Sequence, residues 1–351
     1  MRPATYDAGP AWRGLVLFAL LVLLVGCDQP PQAHRFEGPI FGTGYHVTVY
    51  GDFSDKQLAS LENGIKESLD EVDHLMSTYK SDSELSRFNA APVDEPFELS
   101  SPTAKVIKES IDIGDLSNGA FDVTIGSAVN LWGFGPEMRP DEVPSDDEIA
   151  QALDKVGYQA LKLNGNRLTK TKPVYVDLSG IAKGFGVDQV AARLDALGVT
   201  SYLVEVGGEI RTRGEKPNGE PWRIAVEKPV SRERSVQRVL ELEDVAVATS
   251  GDYRNYYEED GQRFSHTIDP RTGRPITHHL ASVTVVAERC STADAVATAL
   301  EVLGPKKGMA LANREDIAAY FIVKTDEGFK TELSEAFHTY LADKPSEGEK
   351  Q

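Results

Sequence analysis

Residues 174–199 read VYVDLSGIAKGFGVDQVAARLDALGV. Apolar residues alternate from Val174 to Leu178, which predicts a strand closing near Asp177. Ser179-Gly180 then turns the chain, and a helix opens near Ile181 with Lys183 in its first turn. A helix start offers unpaired N–H groups and partial positive charge to a phosphate, and Lys183 adds a full charge. The alternative is an aspartate that closes a strand and a solvated lysine. A Walker A loop, G-x-x-x-x-G-K-[ST], is absent. The pairs Gly42/Gly44, Gly133/Gly135 and Gly184/Gly186 lack the third glycine of a dinucleotide fingerprint, which disfavours a Rossmann oxidoreductase.

Outward from this junction, helices and strands are interspersed without a steady βαβ rhythm. Leu58, Leu61, Ile65, Leu69, Val72 and Leu75 are spaced for a helix that starts after Ser54. Ser101-Pro102 reads as a cap with proline at the first helical position, and Ser145 with Glu148 as a capping box. Tyr45–Tyr50, Tyr202–Val206, Arg223–Val226 and Ser282–Val286 alternate as strands. Tyr253–Tyr257 and Phe264–Ile268 flank the turn Glu259-Asp260-Gly261, an antiparallel signal. The expected class is α+β, a mixed architecture. Pro140–Ser145 is a candidate boundary within it.

Two further stretches carry chemistry. In CSTADAVATALEVLG (290–304), Ser291 or Thr292 can cap a helix that brings Asp294 and Thr298 onto one face. A carboxylate with a hydroxyl suits Mg²⁺ rather than zinc; equally, Asp294 can offset the helix dipole while Thr298 bonds back to its own helix. In SHTIDPRTGRPI (265–276), Asp269–Gly273 is a turn by composition and His266 precedes it in an expected strand, facing a cleft or serving structure. His278 and His279 do not complete a zinc spacing with His266. Trp132, Phe134 and Tyr79 are either core residues or walls for a planar ring.

The chain has 351 residues, enough for roughly two domains or one large mixed one. Its 37 Lys+Arg against 55 Asp+Glu give a net charge of −18, which argues against nucleic acid as a partner. Leu15–Val25 is an uninterrupted apolar run, too short for a spanning helix of about 20 residues and suited to a secretory signal. It ends at Gly26-Cys27, which resembles a lipobox whose cysteine is lipidated; an ordinary signal peptide or an uncleaved anchor is the alternative. The expected layout is a signal peptide over 1–26, a lipidated tether over 27–35, one domain over 36–341 and a polar tail over 342–351. With Cys27 carrying lipid, Cys290 has no disulfide partner and reads as a small buried residue. Asp28 resembles an inner-membrane retention signal, so the protein is expected to be lipid-anchored in the cell envelope and to face the periplasm.

Eight segments in order, FGTGY, MSTYKSDSELSRFN, GAFDVTIGSAVNLWGFG, VDLSGIAKGFGVD, VGGEIRTRG, TSGDYRNYY, SHTIDPRTGRPI and STADAVATALEVLG, resemble the ApbE family of FAD:protein FMN transferases. The resemblance runs from about Gly42 to Gly304. It implies an ApbE-like fold with a cleft for FAD and Mg²⁺. It further implies transfer of FMN from FAD to a Thr or Ser hydroxyl of an acceptor protein, with release of AMP. Acceptors would be flavin-carrying subunits of membrane redox complexes such as sodium-pumping NADH:quinone oxidoreductase (Nqr) and Rnf. By motif position, Asp294, Thr298 and the Gly180 carbonyl would ligate Mg²⁺. Asp177, Lys183, Tyr79, Ala120, Phe121, Asp122 and Ile268 would line the FAD site. The family usually has Met-Gly-Thr where this chain has Phe41-Gly42-Thr43, and Phe41 can pack on an adenine or flavin face. His266 is the expected proton acceptor, with Asp294 competing. Water as acceptor would make the protein an FAD pyrophosphatase, and loss of chemistry a flavin-binding lipoprotein.

Overall fold

The structure is a computed structural model that describes residues 32–136, 143–227, 236–251, 256–259 and 262–341. The leader with Cys27 and the tail over 342–351 lie outside the described residues. The central element is an eight-stranded, wholly antiparallel sheet whose spatial order is its chain order. Its strands are β1 (Ala33–Ile40), β2 (Thr43–Tyr50), β3 (Tyr202–Val206), β4 (Glu209–Arg213), β5 (Ala246–Gly251), β6 (Leu280–Ala287), β7 (Ala318–Thr325) and β8 (Gly328–Leu333). Because β1 begins at Ala33, the last three residues assigned to the tether belong to the sheet.

The helices enter as insertions into this meander. Between β2 and β3 lie α1 (Asp55–Met76), α2 (Glu84–Ala90), α3 (Ser101–Leu116), α4 (Gly126–Leu131), α5 (Asp146–Leu153) and α6 (Ala182–Ala196). With them comes a small sheet of Phe97–Glu98, Arg167–Lys170 and Leu161–Asn164. Helix α7 (Cys290–Arg314) joins β6 to β7, broken at Gly304-Pro305, where Gly304 has φ 74°. Hairpins 222–227/236–242 and 256–259/262–265 and the pair 268–269/274–275 complete the α+β architecture. The stretch 137–142, on which the candidate boundary partly falls, is outside the described residues. On its two sides α4 and α5 share one apolar cluster of Ala128, Leu131, Trp132, Ile149 and Ala152.

The apolar spacing of α1 buries Leu61, Ile65, Leu69 and Val72 as expected, leaves Leu58 and Leu75 half-buried and adds Met76, and Ser54 with Gln57 closes a capping box. The Ser145–Glu148 box is present too. Three expectations shift. Ser100, not Ser101, caps α3 by accepting from Thr103 N. Residues 174–178 are extended but join no ladder beyond one bridge, Ile125 to Tyr175. The Asn89 side chain takes both polar groups of Val176, and Val123 O accepts from Asp177 N, so the alternation buries Val174, Val176 and Leu178 without strand partners. His266 lies just past its strand, which ends at Ser265.

The fourth shift concerns the start of α7. Neither Ser291 nor Thr292 caps it. Both hydroxyls donate to Glu109 of α3, at 3.0 and 2.5 Å. The cap comes from a separate helix. Asp188 on α6 accepts from Cys290 N and Ser291 N, each at 3.0 Å, and from Arg211 of β4 at 2.6 Å. One carboxylate thus joins α6, α7 and the sheet. Asp188→Ala should strip two buried N–H groups and one guanidinium of their acceptor and destabilise the fold by about 3 kcal/mol. Asp188→Asn, which keeps one acceptor oxygen, should lose less. Urea denaturation of both variants measures the difference, and equal stability of Asp188→Ala and the parent would refute the assignment.

Candidate functional site

Antiparallel register brings two tight turns to the same end of the sheet. Phe41-Gly42 joins β1 to β2, and Gly207-Gly208 joins β3 to β4. Both central residues of each turn have positive φ (51° and 72°, then 60° and 104°), the signature of two-residue hairpins whose twist matches the strands. For Phe41 this is a strained conformation that a bulky residue rarely adopts. Its ring reaches α6, where a methyl group on Gly186 would come within 3.0 Å of it.

Beside these turns opens a cleft of about 1310 Å³. It collects the residues that the sequence reading singled out: Phe41, Tyr79, Ala120, Phe121, Asp122, Asp177, Gly180, Lys183, His266, Ile268, Asp294 and Thr298. Tyr79 stands at the lip, 71% exposed. Phe134 also faces the cleft, while Trp132 is core and donates from Nε1 to Gly273 O at 2.7 Å. Half-buried His266 lies edge-on to Phe134, ring centroids 6.4 Å apart. Ile268 is buried beside it, below a turn in which Asp269 chelates Arg271 at 2.8 and 2.7 Å.

The acids differ in what is left for a ligand. Asp122 is buried, which raises its carboxyl pKa, and both its oxygens are engaged within the protein. Oδ1 accepts from Thr124 N and Oγ1, and Oδ2 from Tyr158 N. Asp177 is half-buried and accepts from Ser179 N at 2.8 Å. Asp294 is almost wholly buried; its Oδ2 accepts from Gly184 N at 3.0 Å and lies 3.5 Å from Lys183 Nζ. The first turn of α6 is therefore less open to an anion than its sequence suggests, because Gly184 N already serves Asp294 and Ala182 N bonds Leu178 O.

One residue of the recess was given no role from sequence. Glu209, the first residue of β4, places Oε1 3.0 Å from Lys183 Nζ. Its Oε2 is buried without a hydrogen-bond partner, an arrangement that costs about 1–3 kcal/mol. Burial pushes the Glu209 carboxyl up to about 8; Lys183 pulls it down and Asp294 adds to the rise. Burial opposes the charge on Lys183, but Asp294 and Glu209 together outweigh it and raise its pKa. The signal for Glu209 was a Gly-Gly hairpin tip followed by an acid on a buried strand.

Asp294 and Thr298 stand one turn apart on the cleft face of α7. A methyl group on Gly180 would lie 3.4 Å from Thr298 Oγ1, so the Gly180 backbone is adjacent. Thr298 Oγ1 donates to Asp294 O at 3.1 Å, the back-bond expected of a helical threonine, which leaves its lone pairs to a cation. Ser250 Oγ is 3.3 Å away. Among the described residues no three His, Cys, Asp or Glu side chains gather as a metal cage. One carboxylate, a hydroxyl and a carbonyl fit a Mg²⁺ that keeps waters and phosphate oxygens as its other ligands.

The ApbE family model matches residues 41–321. A Vibrio cholerae FAD:protein FMN transferase is 50% identical over 329 residues, 93% of this chain and 98% of that one. Its Escherichia coli K12 counterpart is 42% identical over 340 residues, 93% and 97%. Among solved structures, a flavin transferase ApbE from Vibrio cholerae superposes with a TM-score of 0.83 at 48% identity, covering 89% of this chain and all of that one. The apo flavinyl transferase ApbE of Pseudomonas stutzeri gives 0.83 at 42%, covering 91% and all. With the family's length, fold and motif order all present, this chain belongs to the ApbE family.

Proposed function

We infer that this protein is an FAD:protein FMN transferase, which moves FMN from FAD to a hydroxyl of an acceptor protein and releases AMP. The observation that carries the reading is identity of 42–50% with transferases of that name across 92–93% of the chain. In the reaction the acceptor oxygen bonds to the FMN-side phosphorus, the diphosphate P–O bond breaks, and AMP leaves with the bridging oxygen. Negative charge grows on phosphoryl oxygens in the transition state.

Each group in the cleft has a task in that scheme. Lys183 supplies a fixed positive charge beside the diphosphate. Phe41, Phe134 and Tyr79 offer faces for the planar rings of FAD, with Ala120, Phe121, Asp122, Asp177 and Ile268 shaping the walls. Asp294, Thr298 and the Gly180 carbonyl would hold Mg²⁺, which supplies electrostatic stabilisation of the phosphoryl oxygens when bound. His266 takes the proton of the acceptor hydroxyl, a weak nucleophile without a base; Asp294 is the competing acceptor. The alternation of apolar walls and one charged floor suits a ligand that is planar at its ends and anionic in its middle.

Cellular placement follows the sequence. The apolar run Leu15–Val25 before Cys27 supports a lipidated protein on the periplasmic face of the inner membrane, and the family resemblance supports Nqr- and Rnf-type carrier subunits as acceptors.

Incubation of the protein from Gln32 onward with FAD, Mg²⁺ and a flavin-carrier domain should add an FMN-sized mass to the carrier and release AMP in equal amount, both lost with EDTA. AMP with free FMN and unmodified carrier would instead make the protein a pyrophosphatase, and bound FAD without AMP a binding protein. Asp294→Ala should lower transfer at least about a hundredfold and weaken FAD binding; retained Mg²⁺-dependent activity would remove Asp294 from the metal. His266→Ala should slow transfer by about 10²–10⁴-fold while FAD titration by flavin fluorescence stays within a few-fold of the parent. Unchanged kcat would leave Asp294 as the base.

A further inference from the structure

The recess beneath the Gly207-Gly208 turn gathers charges from three elements: Lys183 from α6, Glu209 from β4 and Asp294 from α7. Two carboxyl groups share one ammonium. Lys183 is nearer to Glu209 (3.0 Å) than to Asp294 (3.5 Å). The turn leaves little freedom in where Glu209 enters. A methyl group on Gly207 would sit 3.5 Å from Lys183 Cδ, 3.6 Å from Glu209 Oε2 and only 2.8 Å from Thr43 Cγ2. Glu209 is 4% exposed, and its Oε2 has no hydrogen-bond partner. A carboxylate kept for folding alone would have both oxygens met by donors. This one retains an acceptor in the lining of a cleft.

We propose that Glu209 is the positioning residue for Lys183: it alone holds the ammonium at the cleft floor once a cation engages Asp294, and its open Oε2 is the acceptor that the ammonium then takes up. The inference rests on the reading of Asp294 as a Mg²⁺ ligand. Asp294 Oδ2 already serves Gly184 N and Lys183. A divalent ion on that carboxylate repels the ammonium and competes for its partner. Lys183 is a point charge on a flexible four-carbon stem, so without a second anchor it would leave the floor. Glu209 is that anchor, and it does not touch the diphosphate itself. Its effect is transmitted through Lys183, which makes the two residues one unit.

The test is a double-mutant cycle in the mature chain with Glu209→Gln, Lys183→Met and the pair. Three quantities are read: thermal unfolding, FAD affinity by flavin fluorescence with and without Mg²⁺, and kcat with KM for FMN transfer. Glu209→Gln keeps the size and one acceptor, and Glu209→Asp serves as the conservative rescue. The expected result is a folded Glu209→Gln protein whose kcat falls by on the order of a hundredfold, the loss typical of a displaced catalytic group. Its KM should change only a few-fold, and Glu209→Asp should recover part of the rate. The double variant should be no worse than Lys183→Met alone. Losses that multiply in the double variant would overturn the proposal, as would a parental kcat in Glu209→Gln. If no acceptor is flavinylated even by the parent, the transferase reading fails. The proposal is then judged on Mg²⁺-dependent FAD affinity, where the same non-additivity sustains it and additivity ends it.

Discussion

The contact on which the site depends is the approach of two helix starts with no side chain between them. At Gly184 a single methyl group would lie 2.3 Å from Cys290 O and 2.9 Å from Asp294 Cβ. The first turn of α6 therefore meets the first turns of α7 backbone to backbone, and Gly184 N bonds directly to the Asp294 carboxylate. One turn further along α6, Asp188 caps α7. Both starts have positive dipole ends, so bringing them together is unfavourable unless anions lie between them. Asp188 and Asp294 are those anions. Lys183 then finds a partner in Asp294 because the spacing of the two helices was already fixed by Gly184.

The sheet contributes the other half of the geometry. With strands in chain order, every insertion must leave and re-enter at a sheet end, and the long insertion between β2 and β3 carries six helices among the described residues. The turn tips 41–42 and 207–208 stand side by side because β2 pairs with β3 in the register Tyr45 to Val206. Glu209 is then delivered by hairpin geometry, whereas Lys183 and Asp294 are delivered by helix packing. The charged recess assembled from these two supports is buried at its floor, where Glu209 and Asp294 sit, while Tyr79 at the lip is exposed.

What could be read from the sequence was local. The helix over 55–76 follows from its apolar spacing and the Ser145–Glu148 box from Ser–x–x–Glu, since those signals are local. The strand over 202–206 is likewise legible from alternation. Alternation misled at 174–178 because it reports burial on one face, and burial there is achieved with the Asn89 side chain standing in for a neighbouring strand. The start of α7 misled for a related reason. Ser291 and Thr292 have capping chemistry, but Glu109, 182 residues from Ser291, takes their hydroxyls and Asp188 performs the capping. Of the candidate site, Lys183, Asp294 and Thr298 stood out by residue type and helical spacing. Glu209 did not, because a lone acid after two glycines reads as a turn until the register shows what it faces.

Glu209 also shows why the recess is costly in the protein as it stands. Two buried carboxyl groups, Glu209 and Asp294, share one ammonium there, and one Glu209 oxygen lacks a donor. Stability alone would favour an apolar side chain there, since a buried polar atom left without a partner costs free energy. If Asp294 holds a cation as proposed, the added positive charge would offset that cost. On that proposal, a cation at Asp294 would couple its own binding to the stability of this one small region.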